Sequence, residues 1–260
     1  MSNTDLWKKH QVELCYAGKH CYLKFNDGTM FTPSLNEAIL QWRSSNGEPF
    51  TLKDLIPNLV AVPRNLAVNE YANETSIRCR PVTWAQYRTM CIADKERMPQ
   101  HEQFHVLSVA YLVVASDDFL IPAMRSRTVS HYPNMWHASA AGYLELDIAL
   151  GGGDKIFNAA LTEIEEEVGL KSNDLRDIGQ LGLIRHLAPG SASMEFCGWT
   201  LSKLTAAEIL ERARNAKDSW EGKHSAFTRD QILEMLQSDE HRFNPAGAAT
   251  LLMYLGILPD

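Results

Sequence analysis

Residues 159–170 read AALTEIEEEVGL, with four glutamates in five positions and then a valine and a glycine. Successive residues of an α-helix turn by about 100°, so Phe157, Leu161, Ile164 and Val168 form one narrow apolar stripe. That stripe predicts a helix laid against a sheet. Glu163, Glu166 and Glu167 stand at i, i+3 and i+4 and share an arc of about 100° on the other side, while Glu165 points away from them. Asp154 lies near the start, where the helix dipole favours negative charge, and Gly169 lies where a left-handed residue ends a helix.

Three carboxylates on one arc repel by about 0.2–0.5 kcal/mol per close pair. A solvated acidic face accounts for the pattern, and so does a cation site. Carboxylate oxygens are hard ligands that suit Mg²⁺, which also takes phosphate oxygens of a substrate. A metal so held polarises a phosphoryl group, and an uncommitted carboxylate serves as general base.

Outward from the helix, the run GGGD at 151–154 is loop, since glycines do not favour an element interior. Upstream, HVLSVAYLVVAS from His105 is long, apolar and β-branched and predicts a buried strand. FLIPAMRSR reads as a second strand and NMWHASAAGYLEL (134–146) as a third. Downstream, IGQLGLIRHL (178–187) and SMEFCGWTL (193–201) predict two more strands around the turn APGSA. Helical patterns follow at 205–216, 228–237 and about 246–255, the last just after Pro245. Strands on both sides of a central helix, with helices at the end, give a mixed α/β sandwich.

Residues 1–100 have a different texture. Short apolar runs are broken by turn signals: HCYLKF and then Asn26-Asp27-Gly28, which predicts a hairpin; a helix-like SLNEAILQWRSS (34–45); and the proline-punctuated LIPNLVAVPRN. The charged DKERMPQHEQ (94–103) reads as a linker. The organisation expected is an N-terminal extension over 1–100, serving dimerisation or capping, and a main domain over 104–260.

The 260 residues are 45% hydrophobic, ample for a core, and the net charge of −7 opposes bulk attraction to nucleic acid or anionic lipid. Cys15, Cys21, Cys79, Cys91 and Cys197 are odd in number, scattered and never spaced as CxxC. They indicate neither a disulfide framework nor a zinc site, and a cytoplasmic location is expected. No run has the length of a signal peptide core or a membrane span, so a soluble, unprocessed chain is expected. No Gly-x-Ser-x-Gly elbow, P-loop or dinucleotide fingerprint is present.

The segment resembles the Nudix box, G-x5-E-x7-R-E-U-x-E-E-x-G-U, where U is apolar. Glu163, Ile164, Glu166, Glu167, Gly169 and Leu170 match its second half without a gap, and Asp154 falls on the first acidic position. The preceding MWHASAAGYLE resembles the strand and loop that enter the box. Two positions depart. Thr162 stands where the family has an arginine that orients a box glutamate. The opening glycine falls on Ile148 unless Gly142 is its equivalent and the loop is lengthened.

The resemblance implies a Nudix-like α/β/α sandwich with a mixed sheet. It also implies Mg²⁺ or Mn²⁺ held by Glu163, Glu166 and Glu167, one of which could be the base. The implied reaction is hydrolysis of the diphosphate bond in a nucleoside diphosphate linked to another group, a nucleotide sugar or ADP-ribose. Glu195, on a strand after the box, is a further candidate for base or ligand.

Arg125 and Arg127 alternate to one face of a strand end, where two guanidiniums suit a diphosphate, although such a pair is also ordinary surface. Trp136 suits either stacking on a base or core packing. Gly142 belongs to the substrate set through the box entry. His137 is a candidate acid or substrate contact, or a satisfied neighbour of an aromatic ring. Arg185 and His186 precede the APGSAS loop, and Cys197 reads as an inert core thiol.

Two other functions remain open: a non-catalytic nucleotide sensor, which Thr162 favours, and an enzyme of isopentenyl-diphosphate isomerase type, which requires a cysteine facing a glutamate. The expected partner is a small nucleoside diphosphate derivative, with no nucleic acid or membrane, and a homodimer is compatible.

Overall fold

The structure is a computed structural model that describes residues 2–18, 20–25, 57–69, 74–83, 105–129, 131–144, 155–187 and 193–259. The expected turn at Asn26-Asp27-Gly28, the helix at 34–45, the linker at 94–103, Asp154 with its glycine run, and residues 188–192 lie outside the described residues.

The elements in chain order begin with α1 (Asn3–Lys9), β1 (Val12–Ala17), β2 (His20–Phe25), β3 (Pro57–Asn69) and β4 (Glu74–Thr83). Next come β5 (His105–Val114), β6 (Ala123–Arg125), β7 (Trp136–His137), β8 (Ala140–Tyr143) and α2 (Lys155–Glu163). The chain ends with β9 (Leu175–His186), β10 (Ser193–Ser202), α3 (Ala206–Arg214), β11 (Gly222–His224), α4 (Arg229–Gln237) and α5 (Pro245–Tyr254). Eight strands form one sheet in the order β1-β9-β10-β5-β3-β4-β2, with β8 also paired to β5. β10 runs parallel to β5 and antiparallel to β9, so the sheet is mixed.

β5 organises the molecule because its side chains alternate between two cores. Leu107, Val109, Tyr111 and Val113 meet Ile156, Ala160, Ile164 and Val168 on one face. Ala110, Leu112 and Val114 meet Ile232, Leu251 and Leu252 on the other. The result is an α/β/α sandwich, with α2 and α3 covering the first face and α1, α4 and α5 the second. The continuous apolar run seen in sequence is what a strand covered on both sides requires. β5 also shares one edge: its first two residues pair with β3, and Ser108 to Tyr111 pair with β8.

Three expectations change in detail. FLIPAMRSR yields only a short strand, β6, which leaves the main sheet and joins β7 and β11 in a three-stranded sheet. The predicted third strand splits into β7 and β8. The stripe on α2 is carried by Ile156, Ala159 and Ala160 before Ile164 and Val168, while Phe157 and Leu161 are only partly covered. Near the N-terminus, Trp7 is buried and its indole N–H donates to the Ile257 carbonyl at 2.9 Å. No described helix is long and apolar enough to cross a membrane.

Candidate functional site

α2 does not run regularly through the glutamates. From Ile164 to Val168 the backbone widens into a π-turn, closed by Gly169 at φ 73°. The wider turn, a feature frequent at functional sites, alters where each carboxylate goes. Glu165 is exposed, as its position on the arc predicts, while Ile164 and Val168 anchor the turn in the core.

Glu163 and Glu167 converge on the outer edge of β8. Gly142 exists there to let a carboxylate in: a Cβ on it would sit 1.8 Å from Glu163 Oε1 and 2.1 Å from its carboxyl carbon. One residue earlier, the Ala141 N–H donates to Glu167 Oε1 at 2.9 Å. Glu167 is buried, and its pKa is raised well above the usual carboxylate range. Desolvation is the main cause and the Glu163 charge the next, while the Ala141 bond pulls the other way.

Glu166 turns elsewhere. Its Oε1 lies 2.5 Å from Lys217 Nζ, and its carbonyl accepts from the Asp218 N–H at 2.8 Å, both on the loop after α3. Thr162, at the position of the family's arginine, donates its hydroxyl back to the Asn158 carbonyl at 3.0 Å and orients no glutamate.

Among the described residues, no three acidic, histidine or cysteine side chains converge into a ready cation cage. The donor set still fits Mg²⁺, which is commonly held by one or two carboxylates together with waters and substrate phosphates. Glu163 and Glu167 supply two hard donors beside β8.

A second polar group lies on the opposite face of the sheet. Glu195 sits on β10 opposite Ser108 of β5, and Ser108 in turn sits opposite Tyr143 of β8. Two strand spacings of about 4.8 Å therefore separate the Glu195 backbone from β8, and Glu167 approaches β8 from its far edge.

Glu195 is buried. Its Oε1 lies 3.1 Å from His186 Nε2 and accepts from the Ser193 hydroxyl at 3.4 Å. Desolvation pushes its pKa up, but the contact with His186 and the hydrogen bond to the Ser108 hydroxyl outweigh that and hold it below the usual range. Its other oxygen, Oε2, is buried with no hydrogen-bond partner among the described residues, and the same holds for His137 Nδ1. Burial, with the Arg125 charge, pushes the pKa of His137 down to about 3, so this ring is neutral. The Tyr132 ring packs edge-on against His186 with centroids 6.1 Å apart.

Arg125 is within electrostatic reach of both groups. It is half-buried on β6, its Nε donates to the His131 carbonyl at 3.0 Å, and its charge is felt by both Glu167 and His137. Arg127 is exposed in the turn beyond β6 and does not share that position. Trp136 packs edge-on against Phe227, centroids 5.2 Å apart, as part of the wall of the second core. Cys197 is fully buried, with its thiol pKa raised chiefly by that burial, and Cys15 is pushed up to about 11 for the same reason.

Sequence reasoning missed Lys217 as the partner of Glu166 and did not single out His186. Alternation along β9 and β10 could have paired His186 with Glu195 only once the register was known.

No protein-family model matches the chain, and no curated protein matches it. Among solved structures, the chain is similar to the NUDIX domain of Shewanella oneidensis NrtR complexed with ADP ribose, at 10% identity and TM-score 0.42, covering 66% of this chain and 97% of that one. It is similar to a NUDIX hydrolase from Nitrosomonas europaea at 16% identity and TM-score 0.38, covering 58% and 89%. It is also similar to the protein DR0079 from Deinococcus radiodurans at 18% identity and TM-score 0.40, covering 57% and 81%.

Proposed function

We propose that the chain is a Mg²⁺-dependent hydrolase of the diphosphate bond in a nucleoside diphosphate joined to a second group, a nucleotide sugar or ADP-ribose. The carrying observation is the convergence of Glu163 and Glu167 on the β8 edge, where Gly142 makes room for one carboxylate and the Ala141 N–H fixes the other. With the second half of the box pattern, which these residues match, it supports a metal-assisted phosphoryl site better than a solvated acidic face. Glu163 and Glu167, joined by Glu166 when it leaves Lys217, are the residues that would hold the ion. Bound there, Mg²⁺ would offset charge on the phosphate oxygens.

The chain's own groups do the rest. Arg125 draws the diphosphate toward the glutamate turn. A carboxylate of the glutamate turn takes the proton of the attacking water. Water adds to one phosphorus, the bridging P–O bond breaks, and two phosphate monoesters leave. We assign this chemistry to residues 104–260.

A screen of nucleotide sugars, ADP-ribose and dinucleotides with Mg²⁺, repeated with EDTA, tests the assignment. Metal-dependent turnover of at least one compound, lost in Glu167→Gln, is expected. No turnover of any compound, or turnover unchanged in that variant, removes the assignment.

One observation favours a second reading, a nucleotide sensor without catalysis: Thr162 is bonded to its own helix and Glu166 is held by Lys217. That reading predicts thermal stabilisation by nucleotide without product, persisting in EDTA. An isomerase needing an exposed cysteine gains no support from Cys15 or Cys197.

A further inference from the structure

Among the described residues, three tryptophans are used in packing. Trp7 is buried with its N–H bonded, Trp136 packs on Phe227, and Trp199 lies against Gly179 and beside Tyr254. Trp220 differs. It stands 55% exposed in the loop between α3 and β11, and among the described residues no other ring and no cation packs on it. An indole left in water is apolar surface that gains free energy when something flat covers it.

The loop is fastened at both ends to groups that the hydrolytic reading assigns to the diphosphate. At one end Lys217 pairs with Glu166, and the Asp218 N–H donates to the Glu166 carbonyl at 2.8 Å. At the other the Glu221 carbonyl accepts from the Ser126 N–H at 2.7 Å, and Gly222 pairs with Arg125. Glu221 is also close enough for its charge to act on Glu167. The Trp220 N–H donates to Asp218 Oδ1 at 3.1 Å, which holds the ring by its edge. Two hydrogen bonds through one residue therefore link the indole to Glu166, a span of at most about 11 Å. α3 and the glutamate turn pack on the same face of the sheet, so the loop that follows α3 and the carboxylates share one side. A nucleoside diphosphate is longer than that span, and one molecule reaches both.

We propose that Trp220 is the platform on which the nucleobase of the substrate stacks, while Arg125 and the glutamate turn engage the diphosphate. This rests on the function proposed above and names the group that reads the far end of the substrate. Of the two roles open to Trp136 in the sequence, the fold gives it packing. The stacking role passes to Trp220. Every base has a π-face, so such a platform selects for a base without choosing which.

Calorimetric binding of AMP and of ribose 5-phosphate to the full chain, with Mg²⁺ and again with EDTA, tests it. Neither compound has a diphosphate bond, so turnover plays no part. In at least one of the two buffers AMP is expected to bind the wild type about tenfold or more tighter than ribose 5-phosphate, since the base is the difference between them. Trp220→Ala should remove that advantage and leave ribose 5-phosphate binding unchanged. Trp220→Phe should keep most of it, and the melting temperature should hold in both variants because the replaced side chain is exposed.

Equal affinity of the two probes for the wild type, or binding of neither, overturns the inference without needing any variant. So does an AMP advantage that survives Trp220→Ala, or one that Trp220→Phe abolishes as fully as Trp220→Ala. AMP binding that depends on Trp220, without metal-dependent turnover of any diphosphate, would leave the platform standing while the hydrolase assignment failed. Metal-dependent turnover with the same KM in wild type and Trp220→Ala would do the reverse.

Discussion

The two faces of the sheet treat buried glutamate in opposite ways. On the α2 face, Glu167 is crowded by Glu163 and desolvated, so its pKa rises. On the α5 face, Glu195 is equally desolvated, yet His186 and its hydrogen bonds bring its pKa below the usual range. Burial is common to both, so the neighbours decide. The first carboxylate sits beside another acid, and the second beside hydrogen-bond donors. Residue type and burial do not assign a role to a buried acid; the groups beside it do.

The sharpest way to break the contrast is to neutralise each acid in turn. Glu167→Gln keeps a carbonyl oxygen for the Ala141 N–H and removes the charge that Glu163 opposes. Turnover of the best substrate is expected to fall about 100- to 1000-fold, with the melting temperature unchanged or higher. Glu195→Gln leaves His186 beside a neutral amide and should cost about 1–3 kcal/mol of stability by chemical denaturation. Stability changes of the same sign in both variants would mean that the two faces do not differ as described.

Gly142→Ala probes the first face without touching an acid. Its Cβ would occupy the position of the Glu163 carboxyl, the mobile end of a long side chain, so the fold should survive while that carboxylate is displaced. A shift of about 1 Å at a reacting centre is enough to cost about 100-fold in rate. Circular dichroism unchanged together with a steep loss of kcat/KM is the expected pair of results.

Acid separates the faces by linkage. The unfolded His137 titrates near its ordinary value of 6.5 and the folded one near about 3, so between these values the unfolded chain binds more protons. Stability is therefore lost as pH falls from about 6.5 toward 3. Glu195, with its depressed pKa, adds to the loss below the usual carboxylate range. Glu167 acts in reverse: with a raised folded pKa, it lowers stability as pH climbs above that range. Denaturation curves from pH 4 to 8 should show the acid-side slope reduced in His137→Gln and the neutral-side penalty reduced in Glu167→Gln.

Much of the first face was legible in the sequence because it is local. The spacing of Glu163, Glu166 and Glu167, the Gly169 cap and the apolar anchors Ile164 and Val168 all lie within one short stretch, where helical geometry converts position into direction. The π-turn was not legible, since no residue type marks it, and it sends Glu166 away from the other two. The second face was not legible for a different reason. His186 and Glu195 meet only through the β9–β10 register, in which Arg185 faces Met194 and Ile184 faces Glu195, and register is a property of the assembled sheet. The long strands β5, β9 and β10 were readable from their apolar runs. β7 and β8, two and four residues long, had no room for a pattern to declare itself.

The mildest test concerns the one glutamate that left its group. Lys217 holds Glu166 from an exposed loop, where an ion pair contributes little to stability because water and salt screen it. Lys217→Met should leave the melting temperature of the metal-free protein unchanged. Its effect should fall on the cation: Lys217 and a divalent ion compete for the same carboxylate, so removing the lysine lowers the Mg²⁺ concentration needed for half-maximal activity. Raised salt should reproduce the effect in the wild type and not in the variant, since it weakens the lysine pair before it weakens a directly coordinated ion. If Lys217→Met instead demands more Mg²⁺, then Lys217 orients Glu166 for the ion, and a lysine 55 residues after Thr162 does what the family's arginine does at that position.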